Sequence, residues 1–290
     1  MPDSGVKMTS ISAIVPVYDR PQPAARAVAS ALAQSRVPDE ILLVDDASQA
    51  PLTYDDLGTN DPRVRIVRLD HNLGAAGARQ AGIEAATGDL IAFLDSDDTW
   101  LPEKLSSQLP LLSTDMTAVA CGWEGVPEEG GRMQRRMPIA SADPRDFAAG
   151  CWFCPGSTVL IPKAAFTRVG PLDTKLRRLE DLDWFLRFAL SGGSLRVAPM
   201  AGAIISTGRR GRRAPVEAAA RQIRASIVAL GHPDVTPALL GRLDAYLDLE
   251  RAAAARNDGD YLAMTRLMLR SLMGVPRLTI PLRRWWQTEP

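Results

Sequence analysis

Three aspartates stand close together directly after an apolar segment of the chain. Asp95, Asp97 and Asp98 follow residues 90–94, which are all apolar. Such a run is typical of a strand that is buried on both faces in a parallel sheet. Carboxylates crowded at the end of a strand repel one another, so a cation is the partner that keeps them ionised together. The spacing indicates a divalent metal site at a strand end, although turns and helix caps use the same residue types.

Acidic residues also end two earlier strands that the sequence predicts. Residues 12–17 precede Asp19, and residues 40–44 precede Asp45 and Asp46. The carboxyl ends of parallel strands meet at one edge of a sheet, and open α/β sheets bind ligands there. This edge is the predicted position of a nucleotide and its metal ion.

Alternating strands and helices must bring these residues together. Strands are predicted at residues 12–17, 40–44, 64–69, 90–94, 117–123 and 156–161, with a strand pair within 195–206. Helices are predicted at residues 23–34, from the 72–77 loop to about 86, and from 180 onward, and an exposed loop at 128–137. This βαβ succession predicts an α/β fold with a mostly parallel central sheet flanked by helices.

Beyond residue 213 the predicted elements are helices only, at 216–230, 236–255 and 260–273. We therefore expect an N-terminal tail over residues 1–8, an α/β domain over 9–213 and a C-terminal helical region over 214–290.

Composition excludes several classes of protein. The 34 basic and 34 acidic residues balance, whereas a nucleic-acid-binding protein usually carries a basic surplus. No segment has the length of a membrane span, and the N-terminus lacks a signal-peptide pattern, so we expect a cytoplasmic protein. Three cysteines, an odd number, argue against a disulfide framework.

Seven short motifs occur in order along the chain. They are residues 13–20 (AIVPVYDR), 43–48 (LVDDAS), 72–82 (NLGAAGARQAG), 93–98 (FLDSDD), 156–161 (GSTVLI), 169–173 (VGPLD) and 179–184 (LEDLDW). Together they resemble the glycosyltransferases of family 2, which have the Rossmann-like GT-A fold, use nucleotide sugars and invert the anomeric configuration. The resemblance extends over about residues 9–208.

The resemblance implies a role for each matching residue. The nucleotide-sugar site would comprise Pro16, Val17, Tyr18, Asp19, Asp45, Asp46, Arg79, Asp95 and Ser96. Asp97, with Asp95, would hold Mg²⁺ or Mn²⁺, since hard divalent ions prefer oxygen ligands and neutralise the charge that grows on a diphosphate leaving group. Asp181 would be the general base of the Glu180–Asp181 pair. The sequence does not choose between Asp45 and Asp46 as the partner of the base.

The expected function is metal-dependent, inverting transfer of a sugar from a nucleoside-diphosphate sugar, with UDP as the expected nucleotide. The acceptor hydroxyl would belong to a saccharide or a lipid-linked molecule in bacterial polysaccharide, glycolipid or other glycoconjugate synthesis. The C-terminal region places Arg283 and Arg284 beside Trp285 and Trp286. This pattern is compatible with a peripheral position at the inner face of the membrane, or with packing against the core of its own chain or of a second copy.

One departure from the family keeps other functions open. Many family members carry a histidine after the last strand that helps to hold the metal or the diphosphate, but residues 206–213 contain arginines and no histidine. The third protein ligand of the metal is therefore open, and so is a nucleotide-sugar-binding protein without catalysis. A phosphatase of the haloacid-dehalogenase type is a further alternative, with Asp95 as nucleophile and Asp97 as general acid.

Overall fold

The structure is a computed structural model that describes residues 9–127, 133–207 and 213–274. Its strands are β1 (Ile11–Val17), β2 (Glu40–Asp45), β3 (Val64–Arg68), β4 (Leu90–Phe93), β5 (Thr99–Trp100), β6 (Thr117–Pro127), β7 (Gln134–Arg136), β8 (Leu160–Pro162) and β9 (Ser194–Thr207). They form one sheet in the order β3-β2-β1-β4-β8-β6-β9-β5, with β7 paired to β6.

The first four strands are the part of the sheet that the sequence predicts best. β3, β2, β1 and β4 pair in parallel, as do β6 and β9. The pairs β4–β8, β8–β6 and β9–β5 are antiparallel. Every residue of β2 and β4 is buried, as expected of strands covered on both faces. The predicted α/β fold with its central sheet is confirmed.

Helices cover the two faces of the sheet. They are α1 (Pro21–Leu32), α2 (Tyr54–Leu57), α3 (Gly74–Ala85), α4 (Lys104–Gln108), α5 (Pro144–Ala148), α6 (Pro155–Thr158), α7 (Lys163–Val169), α8 (Glu180–Leu190), α9 (Arg213–Ala229), α10 (Pro237–Asn257) and α11 (Tyr261–Gly274). A short 3₁₀ turn spans Leu109–Leu111. None of the helices in the described ranges is long and apolar enough to cross a membrane.

Two hydrophobic clusters fix the helices to the sheet. Alternate residues of β1 point to opposite faces, so Ile14 joins one cluster and Ala13 and Val15 join the other. The first cluster contains apolar residues of α3, α8, α9 and α10. The second contains apolar residues of α1 together with Leu105 of α4. The C-terminal helices thus share a core with the sheet.

Three predictions made from the sequence for the middle of the chain differ from the structure. The strand predicted at 156–161 is α6 followed by β8, because Pro155 occupies the first turn of a helix, where its missing N–H costs nothing. The strand pair predicted within 195–206 is the single strand β9. Its pairing jumps from Ala198 to Ala201 opposite consecutive residues of β6, so the two residues between them bulge instead of turning the chain.

The third difference concerns the loop predicted at 128–137. β7 lies within it and pairs with β6, so that part of the prediction was wrong, while residues 128–132 lie outside the described ranges. The three predicted C-terminal helices correspond to α9, α10 and α11, with ends within three residues of those expected. The Arg283–Trp286 segment is outside the described residues, and the proposed domain boundary near residue 213 stays a prediction.

Candidate active site

A cleft of about 630 Å³ lies at the carboxyl ends of β1 and β4 and beside the residue that follows β2. Residues of α3, α6, α7, α8 and α10, and of the loops before α6 and α8, supply the rest of its wall. The predicted site residues that line it are Pro16, Val17, Tyr18, Asp46, Arg79, Asp95, Ser96, Asp97, Glu180 and Asp181. The fold therefore brings together residues that are up to 165 positions apart in the chain, since Pro16 and Asp181 face one cavity.

Asp45 and Asp46 have different surroundings, although they are adjacent. Asp45 is fully buried and accepts hydrogen bonds from Ser48 N at 2.9 Å and Arg68 Nη1 at 2.5 Å. Burial raises the pKa of Asp45, but hydrogen bonds from residues including Ser48 and Arg68 outweigh burial and leave the pKa below its ordinary value. Asp46 lines the cleft, and its carboxylate accepts from the N–H groups of Leu73 and Gly74 at 2.6 and 2.8 Å.

Asp19 lies beside the main cleft, in a smaller cavity of about 410 Å³. Its Oδ1 accepts a hydrogen bond from Gln49 N at 2.7 Å, and its N–H donates to Ser48 Oγ at 3.0 Å. These bonds join the loop after β1 to the loop after β2. In the described structure Asp19 thus connects two loops at the rim of the cleft.

Backbone strain is concentrated around the cleft. The non-glycine residues with positive φ in the described ranges are Asp19, Ala47, Cys154 and Leu179. Cys154 and Leu179 line the cleft, and Ala47 follows Asp46 directly. Residues other than glycine rarely adopt this conformation, and such strain is concentrated at functional sites.

Hydrogen bonds to Ser157 of α6 fix the position of the aspartates that follow β4. Asp95 N donates to Ser157 Oγ at 3.0 Å, and the same hydroxyl donates to Asp98 Oδ2 at 2.5 Å. Asp98 is buried and also accepts from Ser206 N at 2.8 Å. Burial, and then the nearby Asp95 carboxylate, raise the pKa of Asp98 to about 7. Asp98 therefore joins the acidic strand end to β9, while Asp95 and Asp97 face the cleft.

Arg79 links the two acidic parts of the site. Its Nη2 is 2.5 Å from Asp95 Oδ1 and its Nη1 is 2.6 Å from Glu180 Oε1. Burial acts against the charge, but the carboxylates of Asp95 and Glu180 outweigh it and raise the pKa of Arg79 further above its ordinary value. Arg79 was predicted to pair with the diphosphate. In this structure its guanidinium lies in the cleft wall and pairs with two carboxylates.

The Glu180–Asp181 pair begins α8, after Leu179 in a left-handed conformation. Asp181 is half-buried, and its Oδ1 accepts a hydrogen bond from Leu182 N at 2.8 Å. Burial, followed by the neighbouring Glu180 carboxylate, raises the pKa of Asp181 to about 6. A carboxylate with such a pKa is ionised at neutral pH and more basic than an ordinary aspartate, which suits a general base.

Two carboxylates in the cleft have the chemistry of a metal site. Asp95 and Asp97 offer oxygen donors of the kind that Mg²⁺ and Mn²⁺ prefer. Asp97 Oδ2 is 2.6 Å from Arg20 Nη1, and the Arg20 side chain is 55% exposed, so it can move into solvent when a cation binds. Within the described residues no group of three or more His, Cys, Asp or Glu side chains is arranged to hold a metal. The pair fits a cation that takes its remaining ligands from a bound molecule.

Several residues of the cleft were not predicted from the sequence. They are Cys151, Cys154, Gly156, Arg177, Arg178, Tyr246 and Glu250. Tyr246 and Glu250 come from α10, and Tyr246 Oη donates to Glu250 Oε1 at 3.0 Å. No local pattern marks them, because only the packing of α10 places them near Asp181. Arg177 and Arg178 could have been found from the sequence, since they come just before the Glu180–Asp181 pair.

A model of the family described as Glycosyl transferase family 2 matches residues 12–174 of this chain. The matched residues include Arg79 and the acidic residues after β1, β2 and β4, but the match ends before Glu180.

Named relatives match shorter segments. The succinoglycan biosynthesis protein ExoO of Rhizobium meliloti (strain 1021) is 44% identical over 99 residues, which are 34% of this chain and 28% of ExoO. The UDP-Glc:alpha-D-GlcNAc-diphosphoundecaprenol beta-1,3-glucosyltransferase WfgD of Escherichia coli is 34% identical over 102 residues, 35% of this chain and 40% of WfgD. The chain thus matches well under half the length of these relatives.

Solved structures share the fold across nearly the whole chain. The S. aureus TarS structure matches with a TM-score of 0.65 and 18% identity, covering 93% of this chain and 50% of TarS. TarS residues 1–349 in complex with UDP match with a TM-score of 0.61 and 15% identity, covering 97% of this chain and 93% of that structure. At such identities the likeness concerns the fold.

Proposed function

This chain belongs to glycosyl transferase family 2, and from that premise we propose that it transfers a sugar from a nucleoside-diphosphate donor to an acceptor hydroxyl, with inversion at the anomeric carbon. The observation that carries the proposal is the single cleft in which the acidic strand end, Arg79 and the Glu180–Asp181 pair meet. Because the chain belongs to this family, we no longer consider a phosphatase of the haloacid-dehalogenase type.

The donor would lie at the strand ends, with its base near Tyr18 and Asp46. Both line the cleft beside the carboxyl ends of β1 and β2, the edge at which α/β sheets bind nucleotides. UDP is the proposed nucleotide. Support comes from the name of WfgD, which uses UDP-Glc, and from the UDP complex of TarS, which has a similar fold.

Asp95 and Asp97 would hold Mg²⁺ or Mn²⁺ against the diphosphate. A divalent ion supplies positive charge that stabilises the leaving group as the glycosidic bond breaks. In the proposed site the carboxylates of Asp95 and Asp97 would bind the cation in place of their arginine partners. The other ligands would be phosphate oxygens and water, in keeping with a site that has two carboxylates.

Asp181 would accept the proton of the acceptor hydroxyl. As this proton moves to the Asp181 carboxylate, the acceptor oxygen forms a bond to the anomeric carbon from the side opposite the phosphate. The bond between the anomeric carbon and the phosphate oxygen breaks, and its electron pair stays on the nucleoside diphosphate. Glu180 would be a positioning residue, because its Oε1 lies 2.6 Å from Nη1 of Arg79 and so keeps this side chain beside Asp95.

The acceptor would be a saccharide, free or linked to a lipid, in bacterial polysaccharide or glycoconjugate synthesis. ExoO is described as a succinoglycan biosynthesis protein, and the name of WfgD specifies a diphosphoundecaprenol-linked acceptor. An acceptor of that kind would place the protein in the cytoplasm at the inner face of the membrane. The proposal includes contact of the C-terminal segment with the membrane, and association of the chain with a second copy.

The stereochemistry of donor hydrolysis tests the proposal. We expect slow release of UDP from at least one UDP-α-sugar in the presence of Mn²⁺, and proton NMR should show the β-anomer of the sugar first. Asp181→Asn should lower the rate about 10²- to 10⁴-fold, the usual contribution of a general base, while UDP binding is retained. Initial release of the α-anomer contradicts inversion. Binding of UDP without turnover of any UDP-sugar, with a range of saccharide acceptors, identifies a binding protein instead.

A further inference from the structure

Arg178 differs from the other arginines of the cleft because it has no partner among the residues that the structure describes. Arg20 pairs with Asp97, Arg79 pairs with Asp95 and Glu180, and Arg177 donates to Asn72 Oδ1 at 3.1 Å. Neither a hydrogen bond nor an ion pair joins Arg178 to another residue in the described part of the chain. Its Nε is buried without an acceptor. This Nε lacks the hydrogen bond that buried polar atoms normally have.

Arg178 is one of four arginines that line the cleft, and its neighbour in the chain carries the same charge. Arg177, its neighbour, also lines the cleft and covers the start of α3, where an ideal Cβ on Gly74 would be 2.8 Å from Arg177 Nη1. Arg79 lines the same wall, but two carboxylates neutralise it. Like charges that face one cavity repel each other, and an anion between them removes the repulsion. The guanidinium fork matches the geometry of phosphate oxygens.

The position of Arg178 in the chain narrows the choice of anion. It comes two residues before Glu180 and three before Asp181, the proposed base. Sugar transfer would take place next to Asp181, and the phosphate nearest to that point is the one that leaves. We propose that Arg178 binds the diphosphate of the donor nucleotide and stabilises the negative charge that develops on it as the nucleoside diphosphate leaves.

This inference rests on the proposed function and adds one residue to it. The match to the family model ends at residue 174, so Arg178 lies outside the residues that the model covers. With Arg178 in this role, the site has a cation of its own for the diphosphate in addition to the divalent ion. The absence of a histidine from residues 206–213 is then less consequential for neutralising the leaving group.

Calorimetric titration with UDP and with uridine tests the proposal, both measured at a constant Mn²⁺ concentration. Arg178→Ala should weaken UDP binding roughly 10- to 100-fold, the range for a lost hydrogen bond to a charged group. Uridine affinity should be unchanged, because uridine has no phosphate. Arg178→Lys keeps the charge but not the fork, and we expect an intermediate UDP affinity. The matched control is Arg168→Ala, at an exposed position of α7 outside the cleft, which should bind UDP as the wild-type protein does.

The possible failures are distinguishable. Unchanged UDP binding by a folded Arg178→Ala protein overturns the inference and leaves the proposed function intact. Equal weakening of UDP and uridine also overturns it, since Arg178 would then shape the cleft as a whole. If Arg178→Ala does not fold, Arg178→Lys decides by the same comparison of the two ligands. Failure of the wild-type protein to bind UDP or another nucleoside diphosphate overturns the proposed function itself.

Discussion

Asp181 is the residue on which the proposed chemistry depends most. Its pKa is raised to about 6, first by burial and then by Glu180. Arg79, Cys151, Tyr246 and Glu250 are the other titratable groups around it. A general base works only when it is deprotonated, so the raised pKa sets the lower limit of the active pH range.

We predict that the rate of donor hydrolysis falls as the pH decreases through about 6 and is level just above that value. Below the pKa of Asp181 the rate should fall about tenfold per pH unit, because the fraction of ionised base falls by that factor. A series of initial rates at saturating UDP-sugar measures this. The residual activity of Asp181→Asn should lack the inflection near pH 6. An inflection that persists in the variant would assign the titration to another group.

The stability of Asp181→Asn separates catalysis from folding. An acid whose pKa is raised by folding makes its ionised form unfavourable in the native state, and this cost builds up above the unfolded pKa and is complete above the folded pKa. Asparagine removes the charge beside Glu180 and keeps an oxygen for the Leu182 N–H. The melting temperature of the variant at pH 8 should therefore equal or exceed that of the wild-type protein.

At the scale of elements, the short helix α6 positions the acidic strand end. Ser157 bonds to both Asp95 N and Asp98. Gly156 leaves room for the Asp95 carboxylate, because an ideal Cβ on Gly156 would be 2.3 Å from Asp95 Oδ2. The tip of a side chain can move away from such a contact, so an added methyl group displaces the carboxylate more than it unfolds the protein.

We predict that Gly156→Ala weakens Mn²⁺-dependent UDP binding about 10-fold or more, in the range seen when a support of a metal ligand is lost, with little change in melting temperature. Gly241→Ala is the matched control on α10, where nothing lies within 4 Å of the added Cβ. It should stabilise the protein by about 0.5–1 kcal/mol, since alanine favours a helix interior, and leave UDP binding unchanged. Unaltered UDP binding by Gly156→Ala would contradict the assigned position of Asp95.

Elements were predictable from the sequence where local pattern and packing agree. Residues 90–94 have no polar side chain, and the buried strand β4 follows from that alone. Pro199 and Gly202 suggest a break, yet β9 continues because β6 holds it through a bulge. Pairing of this kind is not visible in a local pattern. α6 was missed because the apolar residues 159–161, which follow it directly, predict a strand.

At the scale of the whole molecule, the C-terminal helices complete the main core. Ile223 of α9 is fully buried in the same cluster as Ile14 of β1 and Leu182 of α8. The sequence predicted these helices by their periodicity, but it did not indicate that α10 would bring Tyr246 and Glu250 to the cleft. Contacts between elements distant in the chain depend on how helices pack on the sheet.

Because this core is shared, we predict that Ile223→Ala destabilises the protein by about 2–5 kcal/mol, the usual cost of truncating a large buried side chain, and that unfolding remains a single transition. Val228→Ala, on the same helix but 45% exposed, should change stability by no more than about 0.5 kcal/mol. Denaturant unfolding followed by circular dichroism measures both. Two separate transitions, only one of them shifted by Ile223→Ala, would show that the helices fold independently of the sheet.

The proposed function requires the cleft to bind a nucleoside diphosphate together with a divalent ion. The most direct test is a thermal-shift panel of UDP, dTDP, GDP and ADP, each with Mn²⁺ and with EDTA. A ligand at about 100 times its Kd stabilises a protein by about 2.7 kcal/mol, which raises the melting temperature by several degrees in a chain of this size. We predict that UDP with Mn²⁺ gives the largest increase and that EDTA reduces it. No increase with any of the four nucleotides, with or without Mn²⁺, would show that the cleft does not bind a nucleoside diphosphate.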